Sequence, residues 1–317
     1  MCFGGIKRSF YNFYLFTTLP SILKLIHYGE FIHMSSVSGT NIVEAIDEVL
    51  AWSSLFGDHM NVDAVLRNLQ VKSSVSSILQ AIESSSHLSI ENEIVYTDKY
   101  DRNLNIQYLQ KLASKHFKET SEVLSILNSC EQITGLAVTG SVAAGMNKED
   151  GDVDVMIITK PGWVWRVRAL AIYLSHKHPA GQLLCPNMVL SEESLRFEET
   201  VYTAREMMQI IPIKDYNGIT KLYNMNEWVN DILPNAVKKS PQPLSKNRDY
   251  PWWWRIMKLP LLGRIIESWE ARRRIKQLKL ASISNEAFYS KSICRSHESS
   301  HKTRIEAEYQ NILEAIS

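Results

Sequence analysis

One stretch limits what this chain can fold into more than any other. An apolar run, Ile133 to Val138, leads into Thr139-Gly140-Ser141. A polar spacer follows, then Asp152-Val153-Asp154 and a second apolar run, Val155 to Ile158. Side chains alternate across a strand, so two carboxylates spaced i, i+2 at a strand's start share one face. Asp152 and Asp154 can then ligate one hard cation through oxygen, as Mg²⁺ prefers, leaving positions for water and substrate phosphates. The Gly140-Ser141 turn offers what a triphosphate needs: backbone approach without a Cβ, N–H donors and a hydroxyl. An Asp-x-Asp by itself is most often a solvated acidic loop. Strand, Gly-Ser, spacer, Asp-x-Asp and strand in that order is a far rarer combination.

These residues resemble the signature of the DNA polymerase beta-like nucleotidyltransferase superfamily. Its pattern is Gly-Ser or Gly-Gly, a spacer of roughly ten residues, then Asp-x-Asp in an apolar strand. Gly140-Ser141 and Asp152-Val153-Asp154 match it, with Ala144, Gly145 and Asp150 in the spacer. The stretches Ala51 to Phe56, Cys185 to Glu192, Tyr202 to Pro212 and Asn226 to Asn235 are similar to a group of mostly uncharacterised prokaryotic proteins. In that group a winged-helix-like segment precedes the nucleotidyltransferase domain. The likeness runs from about Asn41 to the C-terminus and brings a fold without a substrate. It implies an α/β (α+β) chain: a polymerase beta-like mixed sheet with flanking helices, a small winged-helix-like domain before it and a helical C-terminal region after it.

The resemblance also implies roles. Asp152 and Asp154 would be catalytic and metal-binding, with Mg²⁺ or Mn²⁺ as cofactor. Gly140, Ser141 and Lys148 would contact the nucleotide, and Arg166 or Arg168 on the next helix are further candidates. Active members of the superfamily normally place a third acid on a neighbouring strand, where it completes the metal site and can act as general base. The strand expected to carry it, Leu183 to Leu190, contains no carboxylate. Asn187 stands at the expected position, and an amide oxygen can ligate a cation but cannot act as a carboxylate base. Glu192 and Glu193 lie just past the strand, either as loop acids or reaching back to the site.

The expected reaction is transfer of a nucleoside monophosphate from an NTP to an acceptor, with release of pyrophosphate. The acceptor could be a small hydroxylated molecule, a protein side chain or an RNA end. Two other classes stay open: a non-catalytic nucleotide-binding module that kept the fold, and a winged-helix transcriptional regulator with a ligand-sensing domain.

A length of 317 residues allows two or three domains with a sizeable core. We expect residues 1–33 to be an extension outside the fold, 34–100 a winged-helix-like domain, 101–215 the nucleotidyltransferase domain and 216–317 a basic helical region. Phe10 to Tyr28 is aromatic and apolar, but Pro20 and Lys24 interrupt it, so a membrane span is not expected and Met34 reads as the natural start.

Helical spacing predicts helices over Ile42–Phe56, Val62–Leu69 and Val75–Ile82, followed by short strands His87–Ile90 and Ile94–Thr97. The third helix is Ser-rich and holds no Arg or Lys, so DNA binding is not expected. Further helices are predicted over Asn105–Cys130, Trp163–His176, Tyr202–Met208, Lys221–Ile232 and Trp252–Leu280, the last kinked or begun by Pro260.

The formal net charge of +1 hides an asymmetry: from Asn235 onward there are 16 Lys and Arg against 8 Asp and Glu. A basic tail beside an acidic region can help hold a polyanion, although basic helices are usually solvated faces. Cys2, Cys130, Cys185 and Cys294 show no Cys-x-x-Cys spacing, which argues against a zinc knuckle or disulfide framework and fits a reducing cytoplasm. Arg205 and Glu206 read as a packing anchor. His176 and His178 suit a helix C-terminus, and Trp252-Trp253-Trp254 reads as core or interface.

Overall fold

The computed structural model describes residues 41–56, 60–99, 106–281, 287–295 and 301–316. The expected N-terminal extension, 1–33, and the start at Met34 lie outside these residues. The described chain is mixed α/β with two sheets.

The N-terminal unit runs α1 (Ile42–Ser54), β1 (Met60–Asn61), α2 (Val62–Asn68), α3 (Val75–Ser84), β2 (Leu88–Glu91) and β3 (Ile94–Thr97). Local chemistry sets these boundaries. Asn41, Asn61 and Ser74 each accept a backbone N–H from the first turn of the helix that follows, the role short polar side chains fill at N-caps. Asn92 and Glu93 turn the β2–β3 hairpin with φ of 50° and 68°, the left-handed pair a tight two-residue hairpin requires. The three helices and the antiparallel sheet, in order β1-β3-β2, close over Ile46, Leu69, Ile78 and Val95. Asp47, buried beneath, is held by His87 Nε2 at 2.9 Å and Lys99 Nζ at 2.8 Å.

The second unit begins with α4 (Ile106–Asn128) and β4 (Ile133–Val138), then α5 (Gly140–Ala143), β5 (Val153–Thr159), α6 (Val164–Lys177) and β6 (Leu184–Ser191). It continues through α7 (Val201–Gln209), β7 (Ile211–Asp215), α8 (Gly218–Asn224) and α9 (Val229–Ile232). The C-terminal part adds α10 (Trp254–Met257), α11 (Pro260–Ala281), β8 (Phe288–Tyr289), β9 (Ile293–Arg295) and α12 (His301–Ile316). Six strands make one sheet in the order β7-β4-β5-β6-β9-β8. β4 pairs antiparallel with β5 and β7, β5 runs parallel to β6, and β9 pairs antiparallel with β6.

Strand alternation decides which core each residue joins. Val153, Val155 and Ile157 face one side with α4, α6 and the buried Trp254. Met156 and Ile158 face the other, against Ala204 and Met207 of α7 and Ile219 and Leu222 of α8. Asp154, two residues before Met156, therefore points to the α7 side of the sheet.

Several expectations need correction. The helix read over Lys221–Ile232 is two short helices, α8 and α9, broken at Met225–Trp228. The one read over Trp252–Leu280 is α10 and α11, with Pro260 opening α11, where its missing N–H costs nothing. Pro212 does not simply end α7: it lies within β7, which the sequence reading missed. Proline is tolerated there because β7 is an edge strand and its pairing with β4 shifts register beside Pro212. Of the three consecutive tryptophans only Trp254 is core, at 1% exposed, while Trp252 is 77% exposed.

Candidate functional site

The site grows from the β4–β5 connection. Thr139 N–H donates to Asp154 O at 2.9 Å, extending the ladder one pair beyond Val138–Val155. The chain then turns at Gly140, whose φ is +64°. A Cβ at Gly140 would lie 2.7 Å from Asp154 Oδ2, so the turn needs glycine both for its conformation and for its approach to the carboxylate. Glycine here presses backbone directly against the acidic pair.

Asn147, which the sequence reading passed over, locks the spacer. Its Oδ1 accepts from Ser141 Oγ at 3.1 Å and from Lys148 N–H at 2.9 Å. Its Nδ2 contacts His116 Nδ1 at 2.9 Å and donates to Asp152 O at 3.1 Å. Asn147 N–H donates to Leu109 O at 3.1 Å, tying the loop to α4. A Cβ at Gly151 would overlap Asn147 Oδ1, which is why glycine follows the acidic run. The only signal of this in the sequence was the pairing of a spacer asparagine with a glycine before Asp152.

Asp152 and Asp154 line one cavity of about 1820 Å³ together with Gly140 and Ser141. Burial, then the neighbouring Asp152 carboxylate, pushes the Asp154 carboxyl up to about 7. Oxygens of both aspartates and the sulfur of Cys185 lie within 4.8 Å of one another. Cys185 is directly in register with Asp154 across the β5–β6 ladder.

The position beside Asp154 on the neighbouring strand is thus Cys185, and the expectation for Asn187 shifts accordingly. Asn187 lies within the register break of β6, between Cys185 and Met188, and still lines the cavity. Glu192 cannot compensate. Its N–H donates to Thr159 O at 2.9 Å, at the far end of the same strands. Five residues of strand separate Thr159 from Asp154, about 16 Å at the usual rise. Glu193 follows it in the same turn.

The other candidates divide. Ser141 lines the cavity with its hydroxyl on Asn147, whereas Lys148 is exposed and not in the lining. Arg166 is buried elsewhere: its Nε lies 3.3 Å from Glu267 Oε2, and its guanidinium is 3.5 Å from the Trp163 ring centre. Arg168 is buried and lines the cavity.

The sequence reading assigned Arg205 and Glu206 to packing, yet both line the cavity. Glu206 Oε1 accepts from Gln209 Nε2 at 2.6 Å, and burial pushes its carboxyl up to about 7. Its charge also acts on Asp154, raising that carboxyl further. A third acid therefore lines the same cavity as the aspartates, carried by helix α7 rather than by a strand.

Lys239 Nζ caps two carbonyls on the rim, Ala143 O at 3.0 Å and Gln209 O at 2.6 Å. Arg67, Lys238, Arg274 and Arg304 add further cationic walls. Among the described residues no helix is long and apolar enough to cross a membrane. Compared with family models, curated proteins and solved structures, the chain matches none.

Proposed function

We propose that this protein is a metal-dependent nucleotidyltransferase of the polymerase beta-like type, moving a nucleoside monophosphate from an NTP to an acceptor. The observation that carries the reading is the acidic pair itself. Two carboxylates face one cavity with a backbone turn at φ +64° pressed against one of them. Placing like charges together in a half-buried site is unfavourable unless a cation joins them, and the Asp154 carboxyl is raised by burial first and by Asp152 second.

The residues fit a hard divalent cation. Asp152 and Asp154 supply oxygen donors, with the Asn187 amide in the same cavity wall, a set suited to Mg²⁺ or Mn²⁺. When bound, such a cation neutralises charge on a transferred phosphoryl group and orients it. Gly140 and the first turn of α5 bring backbone N–H groups that lack intrahelical acceptors to the mouth of the cavity, suited to phosphate oxygens. Glu206, with a carboxyl that is part protonated near neutrality, is suited to take a proton from an acceptor hydroxyl. The order of helices and strands in the N-terminal unit supports the winged-helix-like reading. The absence of Arg and Lys from α3 supports a structural or protein-contact role for it.

A second reading, nucleotide binding without turnover, is favoured by one observation: Cys185 rather than an acid stands in register with Asp154. Pyrophosphate release with each of the four NTPs, Mn²⁺ and a cell-extract acceptor pool tests the first reading. Release by the wild type that disappears in Asp152→Asn and Asp154→Asn supports it. Metal-dependent nucleotide binding without any release transfers the conclusion to the second. No metal-dependent nucleotide binding by calorimetry refutes both.

A further inference from the structure

Arg205 is 3% exposed, and among the described residues none of its three side-chain nitrogens has a hydrogen-bond partner. A buried guanidinium carries five N–H donors and is expensive to leave unmatched. The fold nevertheless holds it in place. Its carbon lies 4.5 Å from the Trp52 ring centre of α1 and 5.8 Å from that of Tyr309 of α12. The Trp52 and Tyr309 rings meet edge to face at 5.3 Å. Three parts of the chain, α1, α7 and α12, thus build one aromatic cradle around one cation.

The nearby groups do not neutralise it by contact. Glu48 acts on Arg205 only at a distance, with its own Oε2 accepting from Gln70 at 3.2 Å. The Tyr309 hydroxyl favours the charged form but donates to Glu48 O at 3.3 Å, without reaching hydrogen-bond geometry to Arg205. Packing alone would be served by a Met or Leu between two rings, and a guanidinium is the costlier choice. Arg205 lines the same cavity as Asp152 and Asp154 and neighbours Glu206 on α7, with its nitrogens covered in this state, so that an anion reaches the fork as the covering rings part.

We propose that Arg205 is the anchor of an oxyanion subsite, and that the second substrate carries a carboxylate or phosphate group which its planar fork binds. The assignment to the second substrate rests on the nucleotidyltransferase reading; the oxyanion subsite itself does not. Arginine is suited to this because its donors match carboxylate and phosphate oxygens in pairs, and the rings keep the fork from rotating. The acceptor is then an acidic small molecule, or a phosphorylated or carboxylate-bearing group, rather than a neutral sugar.

The test uses the full chain without metal, titrated with inorganic phosphate in one arm and succinate in the other. The readouts are thermal unfolding and calorimetry. One or both anions should stabilise the wild type, and the arm that does so identifies the group. Arg205→Lys keeps the charge and loses the fork, so binding should weaken about tenfold or more, with circular dichroism showing an intact fold. Arg205→Met should abolish it.

Asp152→Asn with Asp154→Asn should leave anion binding intact while nucleotide binding is lost. Failure of the nucleotidyltransferase reading is thereby separated from failure of the subsite. Saturation with a non-hydrolysable NTP and Mn²⁺ should leave the anion bound. Competitive displacement would give Arg205 to the donor's phosphates and overturn the acceptor assignment. No stabilisation of the wild type by either anion, or equal affinity in a folded Arg205→Lys, overturns the subsite, and the wild-type arm decides even if both variants fail to fold.

Discussion

Replacing Asp154 by Asn should make the metal-free protein more stable, and only above mildly acidic pH. In the fold the Asp154 carboxyl is raised from an ordinary 3.8 to about 7, by burial first and by Asp152 second. With the folded value above the unfolded one, the folded state holds the extra proton between the two. The contribution to stability is full below the unfolded value and is lost as pH rises through about 7. Each factor of ten in the proton equilibrium is worth about 1.4 kcal/mol, so a dry site would lose about 4 kcal/mol. Asp154 is only partly buried against a wet cavity, and screening reduces that to roughly 2 kcal/mol.

Asn keeps the shape and carries no charge at any pH. Urea unfolding followed by circular dichroism near pH 5 and near pH 8 should therefore show the Asp154→Asn advantage growing by ~1 kcal/mol across that interval, the rest of the change falling below pH 5. Glu206 titrates in the same window and its charge acts on Asp154, so both proteins should carry Glu206→Gln for the difference to report Asp154 alone. Saturating Mn²⁺ near pH 8 should reverse the order, because only the wild type has a carboxylate pair to bind it. An advantage that does not change with pH refutes the strained-pair reasoning. Equal stabilisation of both proteins by Mn²⁺ refutes Asp154 as a ligand.

Four further substitutions probe the scaffold. Gly140→Ala forces a Cβ to 2.7 Å from Asp154 Oδ2 at a positive φ. It should cost about 1–2 kcal/mol from conformation alone and abolish Mn²⁺ stabilisation. Gly145→Ala, at φ +88° with open space around it, should cost a similar amount and keep the metal response. Gly151→Ala drives a methyl into Asn147 Oδ1, so it should loosen the loop, read as faster amide exchange at Lys148 and Asp152, and a protected loop would count against Asn147 as its lock. Glu267→Ala removes the acceptor of Trp165 N–H and Arg166 N–H, both at 2.9 Å, and strands the Arg166 charge. Denaturant unfolding should show a loss of about 3–5 kcal/mol, and a loss under about 1 kcal/mol would mean that Met257 O and Gly162 O hold Arg166 unaided.

The acidic pair and its glycine were legible because both depend on local rules. Strand alternation fixes the face of Asp152 and Asp154, and close backbone approach selects Gly140. The helices of the N-terminal unit were legible for the same reason: their apolar residues recur at helical spacing within a few residues of one another. What the sequence hid depends on register and tertiary pairing. Asn187 was taken for the residue beside Asp154 because the β6 segment was read as an unbroken strand. The ladder breaks between Asp154 and Met156, and Cys185 takes that place. Glu192 was read as able to reach back, but parallel pairing carries it the whole length of β5 from the aspartates.

Arg205 and Glu206 show the same limit from the other side. Adjacent residues on a helix point about 100° apart, so a pair with opposite charges reads from sequence as a surface or packing detail. Only the sheet's topology determines what each of them meets. β7 pairs with β4 on the side away from β5, and α7, which leads into it, crosses the face that Asp154 shares with Met156. That crossing turns Glu206 to the acidic corner of the cavity and Arg205 to the cradle of Trp52 and Tyr309. The site is therefore assembled by four segments far apart in sequence. The β4–β5 turn holds the acids, α7 brings one more acid and a cation, and α1 with α12 fixes that cation in place. A change in how α12 packs on α1 would move the Arg205 fork without touching the aspartates. Substitutions at Tyr309 should accordingly alter anion affinity while leaving the Mn²⁺ response of the acidic pair unchanged.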